Sequence, residues 1–332
     1  MVRDSAGEDA ASGGLRLIHG PVGSEDIVQV PGTPWLIASG LNLGAPAQFS
    51  LIDTRSKAAT RLLLDCRPGA EGDDGAPPPE FSSMSTDGLA LRSLAANRHL
   101  LFAANHGDRH AIEIFAVEAG HEVPTVHWVG CALLPRTALP NAVRPLSDGR
   151  LLIICPYDPT DPDSWSKMAR GAPTGKILTW ERGHGVGVLP NSAMSGGNGL
   201  EISADGALVY ASAWSARELV VLSLRRGTRH AIAVDFLPDN IHALADGTLL
   251  VAGQCSTVEA IAACGAESCP QPWAVARVYP QSGEVRRVFS AEGSANINYA
   301  CGALVAGDAL YFTVRGDRCI VYKPRNELPA LD

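Results

Sequence analysis

Acidic and amide side chains recur at matching places along this 332-residue chain, each beside a short apolar run. Glu25-Asp26 stand before Ile27-Val28, Asn141 before Ala142-Val143, Asn198-Gly199 before Leu200-Glu201-Ile202, and Asp239-Asn240 before Ile241-His242. Asn105-His106 close the run from Arg98 to Ala104. The carboxylates of Glu25 and Asp239, with the side-chain carbonyls of Asn141, Asn198 and Asn240, make an all-oxygen donor set. Such a set suits a hard cation and favours Ca2+ over Zn2+ or Cu2+. Held by so few carboxylates, the ion keeps residual positive charge. It can then polarise an ester or lactone carbonyl and stabilise the oxyanion formed when water attacks. Any one of these residues alone is ordinary turn chemistry, because Asn and Asp shape most loops. Their repetition at equivalent places is the argument for a shared site.

The elements that must position them are legible as a repeated phrase. A turn, often Asp-Gly, leads into a short apolar strand with a small-residue exit: Pro34 to Ser39, Arg98 to Ala104, Asp148 to Ile154, Asp205 to Ala211, Asp246 to Ala252 and Gly307 to Phe312. Each phrase reads as the turn and inner strand of one antiparallel sheet. Spacings of roughly 40 to 60 residues match propeller blades of about four strands. The expectation is an all-β chain: a six-bladed β-propeller over 15–332, with a metal ion in its central channel, behind a disordered tail over 1–14. In propellers the loops converge on that channel, and a site there, not the fold, carries function.

Composition narrows the partners. Apolar residues make up 46% of the chain, enough for a large core, and 34 Gly with 23 Pro favour turn-rich β structure over helices. A net charge of −8 argues against nucleic acid or an anionic membrane surface, since both call for a basic face. Met1 to Gly14 lack an apolar segment of the signal-peptide kind, and no run reaches the 18 apolar residues of a membrane helix. The chain is therefore read as cytoplasmic, with a small-molecule substrate and no stated oligomeric state. Most of the eight Cys sit in apolar strand contexts, as Cys155 does, and read as small hydrophobes. Cys264 and Cys269 flank a four-residue loop and could close a disulfide or hold a metal; without a second pair or a nearby His, free loop thiols are the favoured reading. The segment Tyr157 to Thr174, with Trp165 and Met168, reads either as a lid over the channel or as a surface excursion.

Five phrases carry a resemblance. Gly23 to Ile27, Ala104-Asn105-His106, Leu139 to Val143, Gly197 to Tyr210 and Pro238 to Ile241 resemble, in the same order, phrases of the paraoxonase/arylesterase family. That family lies within the wider group of gluconolactonase-like, regucalcin-like and strictosidine-synthase-like six-bladed propellers. The resemblance runs from about Ile18 to Tyr322. It implies that Glu25, Asn141, Asn198, Asp239 and Asn240 hold a catalytic calcium, with Asp26 beside them. The shorter set Glu25, Asn141, Asn198 and Asp239 matches the gluconolactonase-like relatives. It further implies that His106 is the general base and that His127 is its partner in a histidine dyad.

Ala142 stands where the family has an Asp for a second, structural calcium, so one metal is expected. The loop from Cys255 to Trp273 departs from the family phrase, so substrate shape does not transfer. The function that follows is a calcium-dependent hydrolase of lactones or aryl esters, with calcium polarising the carbonyl and a His106-activated water attacking. The alternatives are a strictosidine-synthase-like or isomerising enzyme on the same propeller, or a non-catalytic ligand-binding propeller.

Overall fold

Short Asp-initiated turns organise the chain. Asp205 Oδ1 accepts the Ala207 N–H at 3.0 Å, and Asp246 Oδ1 accepts the Thr248 N–H at 3.0 Å, each fixing a reversal between two apolar strands. The structure, a computed structural model, describes residues 10–11, 13–41, 49–67, 75–264, 269–294, 297–316, 318–328 and 331. Its strands form six sheets of four or five strands each. The first strands of the sheets are Ile27–Gln29, Thr86–Ala95, Ala142–Pro145, Gly197–Ile202, Leu237–Ala243 and Ile297–Ala306. Each touches the first strand of the next blade, and the last touches the first, so these six strands encircle one axis. The fold is a six-bladed β-propeller, as expected.

One detail of the expectation is corrected. The repeated phrases are the second strands, such as Trp35–Ala38, Arg98–Asn105, Leu208–Ala213 and Leu249–Gln254, and the strands before their turns line the axis. The reason lies in burial. A second strand is packed on both faces by neighbouring blades and reads as a continuous apolar run, as Leu151–Cys155 does, whereas an axial strand must present polar groups to the channel.

The sixth blade draws its outer strand from the other end of the chain. Leu15–His19 pairs antiparallel with Cys319–Pro324, Arg16 opposite Tyr322, and this closes the ring. Of the expected tail over 1–14, the described part includes Ala10–Ala11, a two-residue strand paired with Leu15 and Arg16. Between blades the core is apolar and aromatic. Phe49 and Phe115 meet edge-on at 5.3 Å between blades 1 and 2, and Trp273 and Phe312 meet at 5.3 Å between blades 5 and 6. Full burial of each such side chain contributes roughly 1.5–3 kcal/mol.

Cys264 and Cys269 form a disulfide, correcting the free-thiol reading. Their Cα atoms lie 5.5 Å apart, within bridging range. No described helix is long and apolar enough to cross a membrane.

The axial strands are bulged where the chemistry sits. Pairing registers shift between Thr86 and Leu89, Gly197 and Leu200, Pro238 and Ile241, and Ala300 and Gly302. The residues inside these shifts are Asp87-Gly88, Asn198-Gly199, Asp239-Asn240 and Cys301. A bulge re-aims a side chain and tightens the local bend, and here it turns one polar residue per blade toward the axis. Glycine is needed behind two of them. A Cβ on Gly199 would lie 2.3 Å from the Asp239 carbonyl oxygen, and one on Gly88 would lie 2.6 Å from the Ala142 Cα. Gly199→Ala is therefore expected to force blades 4 and 5 apart and to cost about 1–3 kcal/mol. Thermal unfolding checks this, and an unchanged Tm would contradict the close approach.

Candidate active site

Each blade contributes one side chain to a ring around the axis. Glu25, Asp87, Asn141, Asn198, Asp239 and Cys301, taken from blades 1 to 6 in order, all line one cavity of about 280 Å³. Glu25, Asp87, Asp239 and Cys301 are buried. Ligand atoms of Glu25, Asp239 and Cys301 lie within 4.8 Å of one another.

The ring is held firmly from behind and left empty-handed in front. Asn240 Nδ2 donates to Glu25 Oε2 at 2.7 Å and to the Glu25 carbonyl at 3.1 Å. Gln254 Nε2 donates to Asp239 Oδ2 at 2.7 Å, while its Oε1 accepts Trp214 Nε1–H at 2.8 Å. Asn141 Nδ2 donates to Asp87 Oδ2 at 3.2 Å, which turns the amide oxygen the other way. Four buried oxygens then have no hydrogen-bond partner: Asp87 Oδ1, Asn141 Oδ1, Asn198 Oδ1 and Asp239 Oδ1. Each such buried acceptor costs roughly 1–3 kcal/mol unless something meets it.

The charges tell the same story. Burial, then the neighbouring Asp239, Asp87 and Asp26 carboxylates, push the Glu25 carboxyl well above its ordinary range. Burial and the Asp87 charge push Asp239 up to about 7. A divalent cation would answer both the orphaned oxygens and the mutual repulsion. The donors fit a hard ion, because burial and the Asp239 and Glu25 charges keep the Cys301 thiol protonated. Glu25, Asn141, Asn198 and Asp239 face the cavity as such ligands must. Asn240 is off the cavity wall: it occupies the position after the ring residue, where blades 2, 4 and 6 have Gly88, Gly199 and Gly302, and its amide steadies Glu25.

His106 also lines the cavity, but its partner is not His127. His106 Nε2 lies 2.9 Å from Asp87 Oδ2. Burial opposes the imidazolium, yet the Asp87 carboxylate outweighs it and the net shift of His106 is upward. Asn105 shapes this turn, its Oδ1 accepting from the Ser85 and Gly107 N–H groups at 3.1 and 3.0 Å. His127 lies on Thr125–Leu133, the fourth strand out from the axis, and pairs with Asp65 at the rim. Three strand spacings of about 4.8 Å separate that strand from the axial one. The strand pattern that located His127 does not say which strand faces the channel. Asp87 was not among the expected site residues; its Asp-Gly pair has the look of a turn. Its signal was position: it precedes the alternating Leu89-Ala90-Leu91 just as Asn198 and Asp239 precede their own strands.

One pleat further along the axial strands lies a second polar layer that is already complete. His242 Nε2 meets Asp26 Oδ1 at 2.8 Å, and Asp26 Oδ2 accepts the Leu89 N–H at 2.8 Å. Arg144 donates to Glu201 Oε1 at 3.0 Å and to the Leu89 and Val143 carbonyls at 2.9 and 2.8 Å. Although burial disfavours its charge, Asp26 is held below its ordinary range by His242 and Arg144. In this layer the carboxylates have partners within the chain. The apolar part of the cavity wall is made by Tyr157, Trp165, Met168, Trp214 and Ile261. The helix Ser164–Ala169 brings Trp165 edge-on to Trp214 at 6.1 Å, so the segment after Tyr157 lies over the cavity, as the lid reading has it.

No known protein family and no curated protein sequence matches this chain. Solved structures do. A gluconolactonase from Xanthomonas campestris aligns with a TM-score of 0.58 at 19% identity, covering 96% of this chain and 92% of its own. A luciferin-regenerating enzyme aligns with 0.58 at 14%, covering 93% and 94%. Regucalcin from Agrobacterium tumefaciens, a calcium-binding protein, aligns with 0.54 at 15%, covering 91% and 90%. What the chain shares with them is the six-bladed propeller fold. The likeness is to the gluconolactonase and regucalcin propellers; a specific kinship with the paraoxonases does not emerge from it.

The raised Asp239 value sets a pH test. Its folded-state value of about 7 exceeds the unfolded value of ~3.9, so its contribution to stability is full below ~3.9 and is lost as pH rises through about 7. Chelator-treated protein should therefore lose Tm between about pH 5 and pH 8, and excess Ca2+ should remove most of that slope, because it binds the ionised ring. Parallel slopes with and without Ca2+ would contradict a cation site at these carboxylates.

Proposed function

We propose that this protein is a calcium-dependent hydrolase of lactones or small aryl esters. The observation that supports it most is one cavity in which the partnerless buried oxygens of Asn141, Asn198 and Asp239 lie beside the Asp87–His106 pair, whose Asp87 Oδ1 is the fourth. Glu25, Asn141, Asn198 and Asp239 would hold the ion, with Asn240 and Gln254 fixing the two carboxylates. One ion per chain is expected, since in the second polar layer Arg144 and His242 already occupy the Glu201 and Asp26 carboxylates. Calcium bound there supplies Lewis-acid polarisation of a carbonyl and stabilisation of the oxyanion.

The chain's own residues supply the proton handling. Asp87 Oδ1 faces the cavity without a partner, and Asp87 Oδ2 is shared with His106. With His106 neutral, the pair carries one negative charge and can take one proton from an attacking water. The aromatic wall of Tyr157, Trp165 and Trp214 excludes bulk water and receives the apolar part of an acyl or aryl group. A purely ligand-binding propeller would leave the part-buried Asp87–His106 pair without a role.

The test is hydrolysis of phenyl acetate and a panel of small lactones, before and after EDTA and on restoring Ca2+. His106→Gln should lower kcat by about 10²-fold or more with metal content intact, whereas Asp239→Ala should lose bound metal and thermal stability together. Full activity of His106→Gln, or hydrolysis indifferent to chelator, would sink the reading. Because Asp87 keeps His106 protonated beyond its ordinary value of ~6.5, the acidic limb of kcat/KM should lie above pH 6.5. A limb at or below that value would remove the pair from the mechanism.

A further inference from the structure

Arg315 has a place in the cavity wall that the mechanism above does not use. It ends the second strand of blade 6, opposite Tyr299 in the register, and lines the cavity with Asp87 and His106. Its Nη1 donates to Tyr299 Oη at 3.2 Å. Tyr299 is itself buried and fixed on the axial strand. A guanidinium has five N–H donors in a planar fork, and among the described residues no carboxylate pairs with this one. The contrast within the protein is sharp. The other arginine on the channel axis, Arg144, spends its donors on Glu201 and on three backbone carbonyls. An arginine half-withdrawn from water, fixed at one corner and otherwise free, is set to receive a planar anion by two parallel hydrogen bonds.

The blade order says what else that anion carries. Going round the axis, blades 6 and 2 bring Arg315, Asp87 and His106, while blades 3, 4 and 5 bring Tyr157, Trp165, Met168, Trp214 and Ile261. The cavity is thus charged on one side and apolar on the other, with the ring between. At about 280 Å³ it lies at the small end of ligand pockets, which run to roughly 300–1,000 Å³. We propose that Arg315 receives a carboxylate on the substrate, so that the preferred substrate is a small lactone or ester bearing a carboxylate close to the reacting carbonyl. This deepens the hydrolase reading and rests on it. The positive charge of Arg315 acts on His106 in the sense opposite to Asp87. An anion that occupies the fork would offset that effect, which couples binding of the right substrate to the proton-accepting pair.

The test compares two substrates of nearly the same shape, 5-oxotetrahydrofuran-2-carboxylate and its neutral carboxamide, of which only the first offers an anionic pair of acceptor oxygens. The wild type should prefer the carboxylate, and Arg315→Gln should reduce the ratio of the two kcat/KM values by about tenfold or more. Arg315→Lys should retain part of the preference, since it keeps the charge without the fork. Tyr299→Phe, which removes the hydroxyl holding the guanidinium, should shift the ratio the same way should Arg315→Gln fold poorly. Equal losses on both substrates would assign Arg315 to the oxyanion and overturn the proposal, as would an unchanged ratio. An equilibrium arm separates this result from the fate of the hydrolase reading. If neither compound is turned over, that reading fails, and calorimetric binding of 2-hydroxyglutarate to calcium-loaded protein still decides the matter. Affinity about tenfold weaker in Arg315→Gln supports a carboxylate receptor, and equal affinity overturns it.

Discussion

Three carboxylates buried around one axis, with their free oxygens facing inward, are the constraint on which the rest of this molecule depends. Burial and the neighbouring carboxylates raise both Glu25 and Asp239, and a positive charge between them would relieve that repulsion. The bulges in the axial strands, the glycines that let those strands approach, and the amides of Asn240 and Gln254 together hold the oxygens in place against their repulsion. The second polar layer shows the other solution to the same problem. There Asp26 is buried and Glu201 partly buried, but Arg144 and His242 are built in as their partners within the chain. One layer is finished and the other is left open, and this difference separates a structural plug from a site.

The open layer is also where the fold stops being regular. A propeller built only for stability would run its axial strands unbulged, with apolar side chains closing the channel. Here the register slips where Asp87, Asn198, Asp239 and Cys301 turn inward, one residue per blade. The apolar lining returns above the ring, on excursions between strands, where Trp165 and Trp214 shield the cavity. Loops carry the variable part of the site and strands the fixed part, the usual division of labour on a rigid scaffold.

Much of this was legible in the amino-acid sequence, and the rest was hidden for identifiable reasons. The blades showed because Asp-Gly turns and doubly buried second strands leave a strong local pattern. Glu25, Asn141, Asn198 and Asp239 showed because polar residues interrupt that pattern at a constant offset. Asp87 was masked by its own glycine, which makes Asp87-Gly88 look like the other turns. Cys301 was masked by its apolar neighbours, since a buried Cys reads as a small hydrophobe. His127 misled because strand patterns do not tell the first strand of a blade from the fourth, and only the ring of contacts between axial strands settles which residues meet. The disulfide between Cys264 and Cys269 was hidden because a spacing of five residues does not by itself distinguish a bridge from two free loop thiols.

The account stands on the open ring being a cation site, and equilibrium titration of chelator-stripped protein with Ca2+ addresses that directly. Calorimetry should show a single class of site saturating at one Ca2+ per chain, and the same titration of Asn198→Ala should show that site weakened or gone. Saturation at one ion that is indifferent to Asn198 would place the ion elsewhere, and no uptake at all would contradict the account at its root.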